Sequence, residues 1–231
     1  IYYTPERDDP LTKRAERWLG RSAFDGQELG TEAIGPFSAV EIAHHTASPG
    51  RYGFHATLKA PFRLAEGWSE AELVAALDRF AAQHEPFLVK RIRLARLDGF
   101  FALVPAEPSP ELDQLAADVV TAFEPFRAPL SAEEAERRNP EHLSPAQLKN
   151  LHKWGYPFVF EEFRFHMTLT GRVPADEAGR MEAAITSFFG PLLQEPLKIS
   201  SLALFVEPEQ GAPFHVKSVH ATGGRRERKT A

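Results

Sequence analysis

The sequence predicts a bilobal α+β protein, in which two antiparallel sheets related by a pseudo-two-fold axis carry flanking helices and enclose a central cleft. Three observations lead to this fold class. Strand-length apolar segments alternate with capped helical segments, their order occurs twice along the chain, and one histidine motif stands at the same place in both copies. We expect one bilobal domain over residues 1–231, with approximate repeat halves 1–96 and 97–222, an insert at 128–157 and a mobile tail at 223–231.

The helices are predicted mainly from signals at their N-termini. A Ser or Asp side chain there can accept a hydrogen bond from a free backbone N–H of the first turn, and Pro or Glu follows at a fixed distance. Asp9-Pro10, Ser69 with Glu72, and Ser109-Pro110 show this pattern. The predicted helices cover residues 10–19, 69–83, 110–123 and 175–189, and two short helices begin after Ser131 and Ser144.

The strands are predicted from segments rich in β-branched and aromatic residues. They cover residues 1–4, 53–58, 87–95, 100–104, 163–169, 197–206 and 214–221. Asp98-Gly99, between two of these segments, is typical of a hairpin turn. Each half then follows the order strand, helix, strand, helix, strand, and this duplication predicts the two lobes.

Composition limits the possible functions. The 231 residues are 43% hydrophobic and carry a formal net charge of −5, so no general positive field would hold duplex nucleic acid. The absence of cysteine excludes disulfides, thiolate nucleophiles and cysteine metal sites. No apolar run approaches the roughly 20 residues that cross a bilayer. We expect a cytoplasmic monomer that does not bind membranes.

Two histidine motifs carry the functional signal, at residues 53–58 and 164–169. Side chains alternate between the two faces of a strand. On the first strand, His55, Thr57 and Lys59 therefore share a face. The corresponding face of the second strand carries His166, Thr168, Thr170 and Arg172. Two such strands would place two imidazoles, the hydroxyls and two cations around one phosphate.

These side chains suit displacement at a phosphodiester. One imidazole can take a proton from the attacking oxygen while the other gives a proton to the leaving oxygen. An unperturbed imidazole pKa near 6.5 allows one neutral and one charged ring near pH 7. Threonine hydroxyls can bind the nonbridging oxygens, and Lys59 or Arg172 can offset their charge. No metal or other cofactor is required.

Each of these residues also has a plainer interpretation. A strand histidine is usually half-buried and satisfied by a neighbour, and further His-x-Ser/Thr tripeptides begin at His44, His142 and His220. A metal site is another alternative, although the motifs lack regularly spaced additional ligands. The two cations could be surface charges, and the threonines could be simple strand formers.

Several aromatic and polar residues near the motifs are weaker candidates for substrate binding. Lys153, Trp154 and Tyr156 combine a cation and aromatic rings before the second motif, as in a flap that stacks on a base or ribose. An anchoring role is an equal alternative for that segment. Tyr2 and Tyr52 could reach the cleft or pack in the core.

The paired Phe-His-x-Thr-Leu segments in a duplicated α+β chain resemble the two-histidine (2H) phosphoesterase superfamily, which includes RNA ligase-like proteins and cyclic nucleotide phosphodiesterases. Residues 52–62, 154–157 and 163–172 are similar to its bacterial branch associated with phosphonate metabolism, and the likeness covers nearly the whole chain. The resemblance implies a metal-independent phosphodiesterase, with His55 and His166 as acid and base and two threonines as phosphate ligands. The association of this branch with carbon–phosphorus lyase operons implies a ribosyl cyclic phosphate as substrate.

Three functions are therefore expected in order of preference. The first is hydrolysis of a cyclic phosphate on a small phosphorylated sugar or nucleotide. The second is an RNA-end enzyme for 2′,5′ or 2′,3′-cyclic linkages, which the acidic net charge disfavours. The third is a noncatalytic phosphate- or nucleotide-binding protein. The pseudo-symmetry leaves open which histidine is the base.

Overall fold

The computed structural model describes residues 1–224 and confirms the α+β class. The mobile tail expected at 223–231 lies, from residue 225 onward, outside the described residues. A large antiparallel sheet carries flanking helices, and a second sheet has two short strands. None of the helices described here combines the length and apolar character needed to cross a membrane.

The helices begin where their capping residues predict. Asp9 accepts a hydrogen bond from the backbone N–H of Leu11, and Ser69, Ser131 and Ser144 form reciprocal capping boxes. The helices are α1 Pro10–Leu19, α2 Ala39–Tyr52, α3 Glu70–Ala82, α4 Pro110–Ala122, α5 Ala132–Glu136, α6 Pro145–Trp154 and α7 Ala178–Phe189. Short 3-10 turns cover Glu124–Phe126, Pro140–His142, Phe160–Glu162 and Gly190–Gln194.

One helix was not predicted. We expected an irregular stretch between the first helix and the first histidine motif, but α2 occupies Ala39–Tyr52. A capping box of Ser38 and Glu41 opens it. That box is the same signal that predicts α3, so it could have been found from the sequence.

The strands are shorter than predicted. They are β1 Tyr2–Tyr3, β2 Ala56–Thr57, β3 Phe87–Val89, β4 Ile92–Leu97, β5 Phe100–Pro105, β6 Met167–Arg172, β7 Leu197–Ile199, β8 Ser201–Val206 and β9 His215–Ala221. The predicted strands 87–95 and 197–206 are each divided, because β3 and β7 leave the large sheet and pair with each other. The hairpin at Asp98-Gly99 is confirmed, and both residues have positive φ, as a type I′ turn requires.

The large sheet has the strand order β4-β5-β6-β2-β1-β8-β9. We expected two sheets, but the strands of both expected halves join in one sheet through the β2–β6 pair. Six of the strands are arranged symmetrically about that pair, since β5 and β1 flank it and β4 and β8 lie outside them, whereas β9 has no counterpart among the described strands. Strands also cross between the halves: β4 pairs with β5, and β8 pairs with β1. The division into halves 1–96 and 97–222 stays a prediction.

The two faces of the sheet have different roles. On one face, Ala56 and Met167 are fully buried in the main hydrophobic core. Helix α2 packs on β6 over this face, and the indole N–H of Trp18 in α1 donates a 2.8 Å hydrogen bond to the Leu169 carbonyl. A smaller cluster, which includes Tyr2 and Phe205, lies apart from that core. It packs beside the first histidine motif.

Candidate active site

The two histidine motifs meet at the centre of the large sheet. Ala56 of β2 lies opposite Met167 of β6 in antiparallel register. Continuing this register by one residue in each direction gives the facing pairs His55 with Thr168 and Thr57 with His166. Opposed side chains have Cβ atoms about 5 Å apart, and diagonal ones about 7–8 Å apart. We call these four residues the His–Thr cluster; its two imidazoles occupy one diagonal and its two hydroxyls the other.

The burial pattern places the His–Thr cluster on one face. Its four residues are all half-buried, whereas Ala56 and Met167 between them are fully buried. Alternation along both strands explains this pattern. A ligand placed over the β2–β6 pair would therefore contact both imidazoles and both hydroxyls.

Both imidazoles are held by the same local hydrogen bond. His55 Nδ1–H donates to the Gly53 carbonyl at 2.8 Å, and His166 Nδ1–H donates to the Arg164 carbonyl at 2.7 Å. Each acceptor lies two residues before its histidine. A carbonyl only accepts, so Nδ1 carries the proton and the neutral ring has its lone pair on Nε2. The Thr57 hydroxyl lies 3.2 Å from Nε2 of His55.

The surroundings of the two imidazoles differ. The Tyr2 ring stacks on His55 with centroids 4.0 Å apart, and the rings of Phe205 and Tyr52 lie 5.7 and 6.1 Å away. Tyr2 occupies this place because it lies opposite Thr57 on β1. On the other side of the pair, Ala102 of β5 lies opposite Thr168, and the Phe100 ring lies 5.8 Å from the His166 ring.

This difference lowers the basicity of one ring. Burial lowers the pKa of His55 to about 4, the hydrogen bond to the Gly53 carbonyl opposes that change, and the charge of His166 lowers the pKa further. His55 is therefore neutral at pH 7.

We predicted that Lys59 binds phosphate, but its side chain is buried in an ion pair away from the His–Thr cluster. Its side chain is 4% exposed, and its ammonium group donates to Glu124 at 2.8 Å and to the Val120 carbonyl at 3.1 Å. The backbone N–H groups of Leu58 and Lys59 both donate to the Ile1 carbonyl, so the strand alternation stops there. Lys59 consequently turns into the interior.

Thr170 and Arg172 also lie away from the His–Thr cluster, where the sequence predicted them. The register between β5 and β6 shifts at Phe100/Ala102, and Thr170 lies in this irregular stretch. It is buried, and its hydroxyl accepts a 2.9 Å hydrogen bond from the N–H of Phe101. Arg172 is exposed at the far end of β6, about 13 Å along the strand from Thr168. Neither side chain joins the His–Thr cluster.

Of the predicted flap, Lys153 and Trp154 have structural partners. The Lys153 ammonium lies 4.7 Å from the Trp154 ring centroid, and that ring packs edge-on against Phe160 at 5.0 Å. Trp154 also lines a small cleft with Lys59. These contacts favour the alternative that this segment anchors the insert.

Tyr52 lies near His55, and Tyr156 lines the small cleft that contains Trp154. Tyr52 stacks on Phe214 at 4.9 Å and accepts a hydrogen bond from Arg51. Burial raises the pKa of Tyr156; nearby Arg138 opposes this effect, and Tyr52 adds to it. Of the predicted tyrosines, Tyr2 and Tyr52 therefore lie beside His55, whereas Tyr156 contacts Phe158 and Arg138.

The prediction from sequence missed Phe205 and Phe214 at this place, and it also missed Arg138, which stacks on Tyr156. Phe205 could have been found by strand alternation, because β8 places it on the same side as Ala203, the partner of Tyr2. Arg138 follows α5 in the insert. No sequence pattern connects it with the histidines.

Two other features of the described residues bear on binding. No group of three His, Asp or Glu side chains within residues 1–224 is arranged to hold a metal ion. A cavity of about 470 Å³ lies away from both histidines and is lined by His84, Asp118 and Thr222 among others. The paired imidazoles define the candidate active site better than this cavity, because they bring two proton-transfer groups to one place.

Comparison with known families gives one match. The model of a family described as "Protein of unknown function (DUF1045)" matches residues 57–215. The match begins two residues after His55 and includes the whole second motif. It covers more than half of the chain.

Curated relatives share sequence with nearly the whole chain. A protein from Janthinobacterium sp. (strain Marseille), named ribose 1,5-bisphosphate phosphokinase PhnN, is 36% identical over 218 residues, which cover 93% of this chain and 48% of that protein. A protein of the same name from Laribacter hongkongensis (strain HLHK9) is 35% identical over 222 residues, covering 94% of this chain and 50% of that protein. The chain thus spans about half the length of these relatives.

Proposed function

The chain belongs to the DUF1045 family, and we propose that it is a metal-independent phosphodiesterase that opens a small cyclic phosphate by two-histidine acid–base catalysis. The observation that supports this proposal is the β2–β6 register, which puts His55 and His166 on one diagonal of a cluster and two threonines on the other. The 2H phosphoesterase resemblance implies the same reaction.

The proposed reaction is an in-line displacement by water. One Nε2 takes a proton from the water, whose oxygen forms a bond to phosphorus. The other imidazole gives a proton to the leaving oxygen as its bond to phosphorus breaks, so the product is a phosphomonoester. Thr57 and Thr168 bind the nonbridging oxygens between the two rings.

Within this proposal, the different surroundings of the two imidazoles decide which ring is the general base and which is the general acid. His55 is stacked on Tyr2 and neutral at pH 7, which suits the general base. Among the described residues, His166 has a single aromatic neighbour, the Phe100 ring at 5.8 Å, and is assigned the role of general acid. Each proton transfer would contribute about 10²–10⁴-fold in rate.

A phosphorylated ribose is the proposed substrate class. The relatives are named for an enzyme of ribose 1,5-bisphosphate. The resemblance described above implies a ribosyl cyclic phosphate and a place in phosphonate metabolism. Both lines support a small sugar phosphate rather than RNA.

The kinase name of the relatives raises a second candidate function. Phosphoryl transfer from ATP in P-loop enzymes uses a Gly-x-x-x-x-Gly-Lys-Ser/Thr segment. This chain contains no Gly-Lys pair. We propose that the named kinase activity belongs to the half of those proteins that this chain does not match. Phosphorylation of ribose 1,5-bisphosphate by this chain with ATP would contradict that assignment.

The function is tested with the full chain and a substrate panel. Ribose 1,2-cyclic phosphates should be hydrolysed faster than 2′,3′-cyclic nucleotides or short RNAs, and treatment with EDTA should leave the rate unchanged. His55→Ala and His166→Ala should each lower kcat by at least about 10²-fold with unchanged circular dichroism. His44→Ala is the matched control, because His44 is exposed on α2.

Three results would contradict the proposal. They are near-normal turnover in either variant, rescue of EDTA-treated enzyme by zinc or manganese, and absence of turnover with every cyclic phosphate. Tight binding without turnover would instead support a noncatalytic binding protein.

A further inference from the structure

We propose that the cavity between α4 and the start of β3 binds a linear aliphatic polyamine, a ligand with ammonium groups spaced along a flexible carbon chain. The cavity has a volume of about 470 Å³, and none of its lining residues belongs to the His–Thr cluster. The inference therefore goes beyond the proposed function and does not depend on it.

Four segments of the chain meet at this cavity. The turn after α3 supplies His84 and Glu85, β3 supplies Phe87, and the residue after β9 is Thr222. The backbone N–H of Gly223 donates to the His84 carbonyl at 2.6 Å, which ties two of these segments together. Helix α4 supplies the rest of the lining, which consists of Pro110, Glu111, Gln114, Leu115 and Asp118.

Carboxylates dominate the charge of the cavity. Glu85, Glu111 and Asp118 line it, and none of the described lining residues is Lys or Arg. Within residues 1–224, no Lys or Arg side chain lies within ion-pair distance of these three carboxylates. Asp118 accepts a 2.8 Å hydrogen bond from the Gln114 amide, and Glu111 accepts one from the Ser109 hydroxyl at 3.3 Å. These neutral donors leave the negative charge in place, so the cavity attracts a cation.

A buried hydroxyl in the lining lacks a partner. Thr222 is 8% exposed, and its Oγ1 has no hydrogen-bond partner among the described residues. Its backbone N–H donates to the Ser200 carbonyl at 2.9 Å, so the side chain alone is unsatisfied. A buried hydroxyl without a hydrogen bond costs free energy, because it has lost its contacts with water. An ammonium N–H can supply the missing bond, since a hydroxyl oxygen accepts.

The His84 ring adds a further acceptor. Its Nδ1–H donates to the Phe80 carbonyl at 2.8 Å, and its Nε2 lies 3.5 Å from an Asp118 oxygen. In the neutral ring Nε2 carries a lone pair, so two acceptors lie side by side. An ammonium group has three N–H donors and can bridge them.

The spacing of the carboxylates favours a polyamine over a metal ion. Glu111 and Asp118 are seven residues apart on α4, which corresponds to about 10 Å along the helix axis. Leu115 is buried between them, and the half-buried Phe87 ring also lines the cavity. Two ammonium groups can reach both carboxylates when the aliphatic chain that joins them packs on Leu115 and Phe87. No three His, Asp or Glu side chains in residues 1–224 are close enough to share one metal ion.

Calorimetric titration of the full chain with spermidine tests the inference. Wild type should bind spermidine more tightly than butylamine, which has one ammonium group, and added Mg²⁺ should not abolish binding. Asp118→Asn and Glu111→Gln should each weaken spermidine binding about 10-fold, because a charge-assisted hydrogen bond is lost. Asp113→Asn is the matched control, since Asp113 is an exposed carboxylate on α4 outside the cavity, and its affinity should equal that of wild type.

Thr222→Val separates ligand binding from folding. The variant keeps the shape of the side chain and removes the unpartnered hydroxyl, so its free energy of unfolding without ligand should be unchanged or higher. Its affinity for spermidine should nevertheless decrease about 5-fold. A less stable variant with unchanged affinity would show that the hydroxyl serves the fold and not a ligand, which contradicts the inference.

Three other results would overturn the inference. They are no binding of spermidine by wild type, equal affinities of wild type and the Asp118 and Glu111 variants, and equally tight binding of butylamine. A fourth concerns cations of this chain: binding of spermidine only after Arg225, Arg226, Arg228 and Lys229 are replaced by Ala would assign the cavity to those side chains instead. Loss of cyclic phosphate hydrolysis with spermidine binding intact would defeat the proposed function alone.

Discussion

His55 and His166 have the same backbone hydrogen bond but different neighbours. The bond from Nδ1–H to the carbonyl two residues earlier orients both rings and fixes their neutral tautomer. The difference comes from adjacent strands, where Tyr2 stands beside the first motif and Ala102 beside the second. The pKa of His55 therefore depends on residues distant in the sequence as well as on its own motif.

The low pKa of His55 predicts a pH dependence of stability. The folded state has a pKa of about 4 at this ring, against about 6.5 in the unfolded chain. Above pH 6.5 this ring does not lower the free energy of unfolding. As the pH falls towards 4 the free energy of unfolding decreases, because the unfolded chain then binds the proton and the folded protein does not. At pH 5 the loss should be roughly 2 kcal/mol.

Urea denaturation at pH 7.5 and pH 5 measures this effect. Wild type should lose more free energy of unfolding between these pH values than His55→Gln, which cannot take up the proton. Carboxylates that titrate in the same range contribute equally to both proteins. Equal losses in the two proteins would show that His55 titrates normally.

The sequence predicted the residues of the His–Thr cluster but not the surroundings of the cations. Alternation and repetition are local patterns, so both histidines and both threonines were found. Lys59 failed as a phosphate ligand because two backbone N–H groups share one carbonyl just there and end the alternation. Its partner Glu124 comes from a different part of the chain. No local pattern indicates that ion pair.

At the level of elements, most helix starts were predictable because their capping contacts span three residues. Strand extents were less predictable. β2 contains two paired residues of the six expected, since its ladder depends on β1 and β6 and not on its own composition. The short helix α5 could be foreseen from its capping box, but the stacking of Arg138 on Tyr156 could not.

Helix α3 is attached to the edge strand β9 by a buried histidine. His220 Nδ1–H donates to Asp78 of α3 at 2.5 Å, and its Nε2 lies 2.7 Å from the Ser218 hydroxyl. Asp78→Ala should lower the free energy of unfolding by about 1–3 kcal/mol, because the N–H of a buried ring loses its acceptor.

A second contact between the same elements provides the control. Glu70 and Lys217 form an exposed ion pair at 2.8 Å. Glu70→Ala should change stability by no more than about 1 kcal/mol. Both variants are compared by urea denaturation at pH 7.5. A smaller effect for Asp78→Ala than for Glu70→Ala would contradict the importance of the His220 contact.

For the molecule as a whole, the exchange of strands between the two expected halves is the main feature. β4 pairs with β5, and β8 pairs with β1, so each half supplies a strand to the other. The main hydrophobic core also draws residues from both halves. Within the described residues, β3 and β4 of the first half find their only strand partners, β7 and β5, in the second half.

This arrangement predicts one cooperative folding unit. Fragments cut in the exposed hairpin at Asp98-Gly99 should each remain largely unfolded alone, because unpaired strand edges and apolar faces would meet water. Mixing the fragments should restore the circular dichroism of the intact chain. Unfolding of the intact protein should give one transition with the same midpoint by circular dichroism and tryptophan fluorescence. A fragment that folds alone would show that the halves are independent.

The sequence by itself determined the α+β class, most helix starts, the Asp98-Gly99 hairpin and the two histidine motifs. Each depends on residues within one turn or one strand, where backbone geometry sets which side chains are neighbours. Tertiary structure alone decided the joining of the strands into one sheet, the burial of Lys59 and the stacking of Tyr2 on His55. These contacts join residues far apart in the chain, and strand register and packing select them.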